Sequence, residues 1–231
     1  MIKCMENGHE IIALANLYPV GSAEELDSYM YQSVGHDAIV AYAECMGLPL
    51  YRRAISGRPI NIEYDYTPTN DDEVEDLYQL LEEVKMNHPD IKGVSSGAIM
   101  STYQKNRVEN VCARLGLISL AYLWQQDQAQ LLQNMIDSGI QAIIIKVATY
   151  GLTDIDLGKT LQEIQPKMKE LAIKYGVNVC GEGGEFESLT LDCPLFKKRL
   201  IVDKVAKFIH KESNAAQVSF LKILKWHVDH K

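Results

Sequence analysis

The chain has 231 residues, 47% hydrophobic and 23% charged, a globular composition that excludes disordered, collagenous and repetitive proteins. Lys and Arg number 23 against 31 Asp and Glu, a formal charge of −8, which argues against a general nucleic-acid binder; no apolar run reaches the ~18 residues of a membrane span, and the start, MIKCMENGHE, carries no secretory signal. Five scattered cysteines without a CxxC pair read as free thiols in a reducing cytoplasm, so neither a disulfide framework nor a metal site is expected.

In chain order, the apolar run EIIALANLY at 10–18 predicts a buried strand, and the mixed stretch 19–36 predicts loop. A helix over 37–46, stopped by Gly47, precedes a strand over 48–54. Residues 70–86 predict the clearest helix: Asn70 and Glu73 have capping-box spacing, and Val74, Leu77, Tyr78 and Leu81 share one face. A strand over 91–94 leads into Ser95-Ser96-Gly97. The next helix carries Val108, Val111, Cys112 and Leu115 and ends at Gly116. Strands are then expected at 117–123, 140–148 and 177–180, with helices over 127–138 and 159–175 between them. After Gly184 the helical period disappears, and 188–192, 199–206 and 217–228 read as strands or mixed segments. Strands alternating with helices predict βαβ units and a parallel sheet, with both faces covered. A soft boundary near 125–129 separates this part from the β-rich tail.

Two motifs stand out. Glu182-Gly183-Gly184-Glu185-Phe186-Glu187 places three carboxylates and two glycines directly after an apolar run. Anions so close repel unless they are solvated or hold a cation; the motif is either a solvated turn or a receptor for a cationic ligand, with Phe186 offering cation–π contact. Ser95-Ser96-Gly97-Ala98-Ile99 lies where a strand ends and a helix begins, the position at which open α/β sheets bind ligands; tight packing alone also favours small residues there. Arg107 and Glu109 are read as lying off the apolar face of their helix, where an exposed pair contributes little. No Walker A, HExxH or GxGxxG pattern occurs.

These stretches, together with HEIIALANL (9–17), ELDSYMYQ (25–32), DEVEDL (72–77), RVENVC (107–112), LAYLWQ (120–125), IKVA (145–148), LGKTL (157–161), VCGEGGEFE (179–187) and DCPLFKK (192–198), resemble the diphthine–ammonia ligase family of PP-loop ATP pyrophosphatases. The resemblance spans nearly the whole chain. It implies an α/β fold: a Rossmann-like parallel sheet, of the adenine nucleotide alpha hydrolase type, over 1–126, and a smaller mixed α/β substrate-binding domain over 127–231. It also implies a cytoplasmic, ATP-dependent amide ligase that converts diphthine on translation elongation factor two to diphthamide through an acyl-adenylate. The resemblance implies ATP, with magnesium, as the co-substrate, and ammonia or ammonium as the nitrogen donor. No membrane or direct nucleic-acid partner is implied. Gly97, Ala98 and Ile99 become nucleotide-binding candidates. Glu182, Gly183, Gly184, Glu185, Phe186, Glu187, Arg107 and Glu109 become substrate-binding candidates, the acidic motif suiting the trimethylammonium of diphthine.

The family's phosphate-gripping loop, SGGKDS, does not occur in these 231 residues, and Met1 aligns within the helix that follows it, so the catalytic residues stay unassigned and the nucleotide domain reads as N-terminally truncated. Two expectations follow: a ligase by family, or a catalytically inactive truncated isoform that keeps the substrate surface and acts only by binding.

Overall fold

Each of the four longer helices begins on a side-chain oxygen that accepts an otherwise orphaned amide. The computed structural model describes residues 1–20, 28, 30–210 and 216–231. In chain order the elements are α1 (Ile2–Glu6), β1 (Leu14–Pro19), a 3₁₀ turn (Ala38–Val40), α2 (Ala41–Met46), β2 (Leu50–Ile55), α3 (Glu73–Asn87), β3 (Gly93–Ser95), α4 (Thr102–Leu115), β4 (Ile118–Leu120), α5 (Gln128–Asp137) and β5 (Gln141–Val147). A second 3₁₀ turn (Asp154–Asp156), α6 (Leu161–Tyr175), β6 (Phe186–Asp192), β7 (Lys198–His210) and β8 (Val218–His230) complete it. The caps are Asp72 for α3, Ser101 for α4, Asp127 for α5 and Thr160 for α6, where Glu163 completes a capping box. The expected Asn70 cap is thus displaced by two residues: the Asp72 carboxylate, not Asn70, takes the Val74 amide at 3.0 Å.

The chain forms two compact units, residues 1–36 with 48–125, and residues 37–47 with 126–231. Against the expected span of 1–126, residues 37–47 and Gln126 fall in the second unit. Residues 37–47 belong to the second unit because the Tyr42 hydroxyl donates to the Thr190 carbonyl at 2.8 Å, its ring meets Phe196 edge-on, and the Lys197 amide donates to the Cys45 carbonyl.

Among the described residues, the first unit holds two separate two-stranded parallel sheets rather than one continuous sheet: β1 beside β2 and β3 beside β4. Val74 and Leu81 of α3 and Val108, Val111, Cys112 and Leu115 of α4 share one core with Leu117. Leu17, Ile55 and Leu80 form a second cluster. The class is mixed α/β, with parallel pairs in one unit and an antiparallel sheet in the other.

That antiparallel sheet has the order β6-β5-β8-β7. Its core gathers Leu132 of α5, Ala142, Ile144 and Val147 of β5, and Leu161, Ile164, Met168 and Leu171 of α6, the face expected for α6. The expected strand over 177–180 is absent. Val179 is buried in the core, but side chains satisfy the backbone there: Gln128 accepts from the Val179 amide at 2.7 Å, and Asn178 from the Cys180 amide at 2.8 Å. An apolar run whose amides are taken this way needs no ladder partner.

Asp156 is wholly buried at the end of the 3₁₀ turn. It accepts from Lys159 at 2.7 Å, Lys167 at 2.5 Å and the Thr153 amide at 2.9 Å. Burial pushes its carboxyl up, but the two ammonium groups and the amide hold it below the ordinary aspartate value. Asp156→Ala is therefore expected to destabilise the protein by roughly 1–3 kcal/mol, with a matching fall in denaturation midpoint. Asp156→Asn, which keeps the Thr153 contact, is expected to lose less.

Candidate functional site

β3 ends at Ser95 and α4 begins only at Thr102. Gly97, Ala98 and Ile99 therefore lie in a loop ahead of the helix, and their amides are not its free N-terminal donors. Ala98 and Ile99 are buried, whereas Gly97 is exposed, with open space where a Cβ would stand. The Gln125 amide donates to the Ile99 carbonyl at 2.7 Å, pinning this loop to the one that follows β4. The Ser96 Oγ is buried with no hydrogen-bond partner among the described residues.

Arg107 is not an exposed residue. Its position four residues before Val111 and eight before Leu115 puts it on the apolar stripe, and its side chain is wholly buried. Its guanidinium donates to the carbonyls of Asn61, Glu63 and Tyr103 and lies 3.3 Å from the centre of the Tyr103 ring. Glu109, two residues on and so on the other side of the helix, is half exposed and pairs with Lys105 at 2.7 Å. The two residues that the sequence grouped are thus separated by the helix: one holds a loop, the other is a surface ion pair.

Sequence reasoning missed three buried carboxylates beside Arg107. Asp72 Oδ2 accepts from the amides of Ile60 and Asn61, and Asp76 Oδ2 from those of Ser56 and Gly57. Glu73, at the first position of α3, is wholly buried. It accepts from the Ser28 hydroxyl at 2.7 Å through one oxygen, and its other oxygen has no partner among the described residues. Burial, with Asp72 and Asp76 adding to it against Ser28 and Arg107, raises its carboxyl to about 7. The available signal was periodic: Glu73, Asp76, Leu80 and Val84 share one stripe. Of the motif ELDSYMYQ, residues 25–27 and 29 lie outside the described residues.

In the second unit, the acidic motif is a turn into β6. The Gly184 amide donates to the Gly181 carbonyl at 3.1 Å. Gly181, just ahead of the motif, is required: its φ is +79° and a Cβ there would stand 2.7 Å from the Phe186 carbonyl oxygen, whereas a Cβ on Gly183 would meet only the Glu185 carboxylate. Phe186 is 5% exposed and packs in the core, so its ring face is not open to a cation, contrary to the sequence expectation. The carboxylates do not simply repel. Glu187 pairs with Lys146 at 3.1 Å, both side chains about 15% exposed. Glu185 accepts from the Asn178 amide at 2.7 Å, while its second oxygen is buried without a partner among the described residues. Glu182 is half-buried beside exposed Gly183 and Gly184.

Two outcomes follow from this geometry. The folded state keeps the Glu73 proton to about pH 7, whereas the unfolded chain releases it near 4.5. The unfolded state then binds fewer protons between those values, so this group's stabilisation is full below about pH 4.5 and falls as pH rises to about 7. Glu73→Gln is expected to flatten that slope and to raise the melting temperature at pH 8, measured across a pH series. Glu187→Gln leaves the Lys146 ammonium without its carboxylate, and is expected to cost roughly 1–3 kcal/mol in a denaturant titration, less than a fully buried pair. Unchanged stability there would show that Glu187 is not held for folding.

Two family profiles match the chain: Diphthamide synthase N-terminal domain over residues 1–119 and Diphthamide synthase C-terminal domain over residues 127–223. The diphthine–ammonia ligase of Danio rerio is 56% identical over 234 residues, covering all of this chain and 91% of that protein. That of Homo sapiens is 56% identical over 236 residues, covering all of this chain and 88% of its own length. The Schizosaccharomyces pombe ligase is 55% identical over 224 residues, or 96% of this chain, which spans 36% of that longer protein. Identity at this level over the full length, with both profiles in register, means that the chain belongs to the diphthine–ammonia ligase family.

Proposed function

We propose that the protein is an ATP-dependent amide ligase that converts the carboxylate of diphthine, carried on translation elongation factor two, to the amide of diphthamide. The observation that carries this reading is the 56% identity to diphthine–ammonia ligases over all of the chain. A carboxylate is a poor electrophile, so the reaction needs ATP to make an acyl-adenylate that ammonia can attack. The free thiols suit a reducing compartment, the cytoplasm.

The division of labour follows the two units. In the first, the parallel pairs β1–β2 and β3–β4 with α3 and α4 support a Rossmann-like nucleotide domain. Ser96 and Gly97 are its candidate nucleotide contacts: a buried hydroxyl in need of a partner, and a backbone that a ligand can approach closely. Ala98 and Ile99 position that loop from the core. Among the described residues no three His, Cys, Asp or Glu side chains gather as a metal site, so no step is assigned to a resident magnesium ion; magnesium commonly arrives coordinated to nucleotide phosphates. In the second unit, Glu182 and Glu185 at the open turn supply negative potential for the trimethylammonium of diphthine, with Gly183 and Gly184 leaving room for it. Glu187 is neutralised by Lys146, and Phe186 anchors the turn. Arg107 positions a loop, and Glu109 has no assigned role.

The test uses elongation factor two bearing diphthine, ATP and isotope-labelled ammonium. Residues 1–231 are expected to bind the factor. The protein is expected to transfer the label into the factor as an amide, with release of AMP and pyrophosphate. If the protein neither binds the factor nor transfers the label to it, the reading fails.

A further inference from the structure

The loop joining β2 to α3, residues 56–72, is held almost entirely through its backbone. Asp76 takes the amides of Ser56 and Gly57, and Asp72 those of Ile60 and Asn61. Arg107 donates to the carbonyls of Asn61 and Glu63, Asn106 to that of Tyr64 at 3.1 Å, and Asn110 to that of Tyr66 at 3.0 Å. Three buried charged side chains and two amides thus fix a segment that contributes one buried side chain, Tyr66, to the core. Its other large apolar side chains face water: Ile60 is 51% exposed, Ile62 62% and Tyr64 69%. Glu63, Asp65 and Asp71 are exposed among them, against the single cation Arg58.

We propose that this loop is the docking surface for the polypeptide that carries the side-chain substrate, and that it selects a cationic, apolar-bearing segment; this rests on the reading of the protein as a ligase acting on a protein-borne residue. Apolar side chains exposed at alternate positions of one fixed loop do not enclose a small molecule but offer contact to another protein surface. The fixed backbone lowers the ordering cost of binding, since few loop dihedrals remain to be lost. Charge decides the occupant. A second copy of this chain brings a net −8 toward an already acidic rim and is repelled, whereas a cationic partner is steered to it. The exposed carboxylates of Glu63, Asp65 and Asp71 match a cationic stretch of the partner polypeptide beside its modified residue.

The experiment measures binding of residues 1–231 to immobilised elongation factor two bearing diphthine, with two double variants. Ile62→Ser with Tyr64→Ser is expected to weaken binding at least tenfold, mainly through faster dissociation, at an unchanged melting temperature. Glu63→Lys with Asp65→Lys is expected to slow association several-fold and to reduce its dependence on salt. If the unaltered chain binds and both variants bind as tightly, the docking surface lies elsewhere and the inference fails while the ligase reading stands. If the unaltered chain does not bind the factor, the inference fails, and the ligase reading is then decided by label transfer alone. Sedimentation showing a dimer that the Ile62→Ser, Tyr64→Ser pair dissolves would assign the surface to a second copy and also overturn the proposal.

Discussion

A guanidinium taken wholly out of water must find acceptors for its donors, and Arg107 finds three backbone carbonyls, two of them on the loop between β2 and α3. That demand organises the first unit. It joins α4 to the loop, the loop is tied in turn to α3 by Asp72 and Asp76, and the stack of Tyr103 on the guanidinium covers the arrangement. Removing the guanidinium would leave the Asn61 and Glu63 carbonyls without their donor and free the loop from α4. The same cluster accounts for Glu73: surrounded by two further carboxylates and out of water, it is stable chiefly with its proton on.

The second unit solves the same problem with the opposite sign. Its buried anion, Asp156, recruits two lysines that keep part of their length in water, so the desolvation falls mainly on one partner. At the acidic turn, Lys146 and the Asn178 amide each take one carboxylate. A motif that looks like concentrated repulsion in one dimension is therefore a set of separate pairs in three.

What the sequence revealed and what it hid divide along physical lines. The stripe Val108, Val111, Cys112, Leu115 and the stop at Gly116 were legible because burial at helical spacing is a local property of the chain. The stripe through Leu161, Ile164, Met168 and Leu171 was legible for the same reason. Arg107 was misplaced although it lies on its stripe, because a charged residue there is read as a surface residue until its acceptors, some 44 positions earlier, are known. The strand over 177–180 was inferred from apolar content, which reports burial and not ladder pairing; the partner that takes the Val179 amide, Gln128, is 51 positions away. Of the site, the glycines were legible and the orientation of Phe186 was not, since nothing in GGEFE says which side of the strand faces the core.

The membership of residues 37–47 in the second unit has a consequence for the order in which the protein is made. The segment leaves the ribosome well before Thr190, Lys198 and Lys197, which Tyr42, Glu44 and Cys45 engage, so it waits without them while most of the first unit is translated. Neither unit is a continuous stretch of chain, and the second cannot complete itself as an independent C-terminal module during synthesis. Dividing the gene near codon 126 would strand α2 on the wrong half. The two units are thus bound into one folding history by a short helix rather than by their order along the chain.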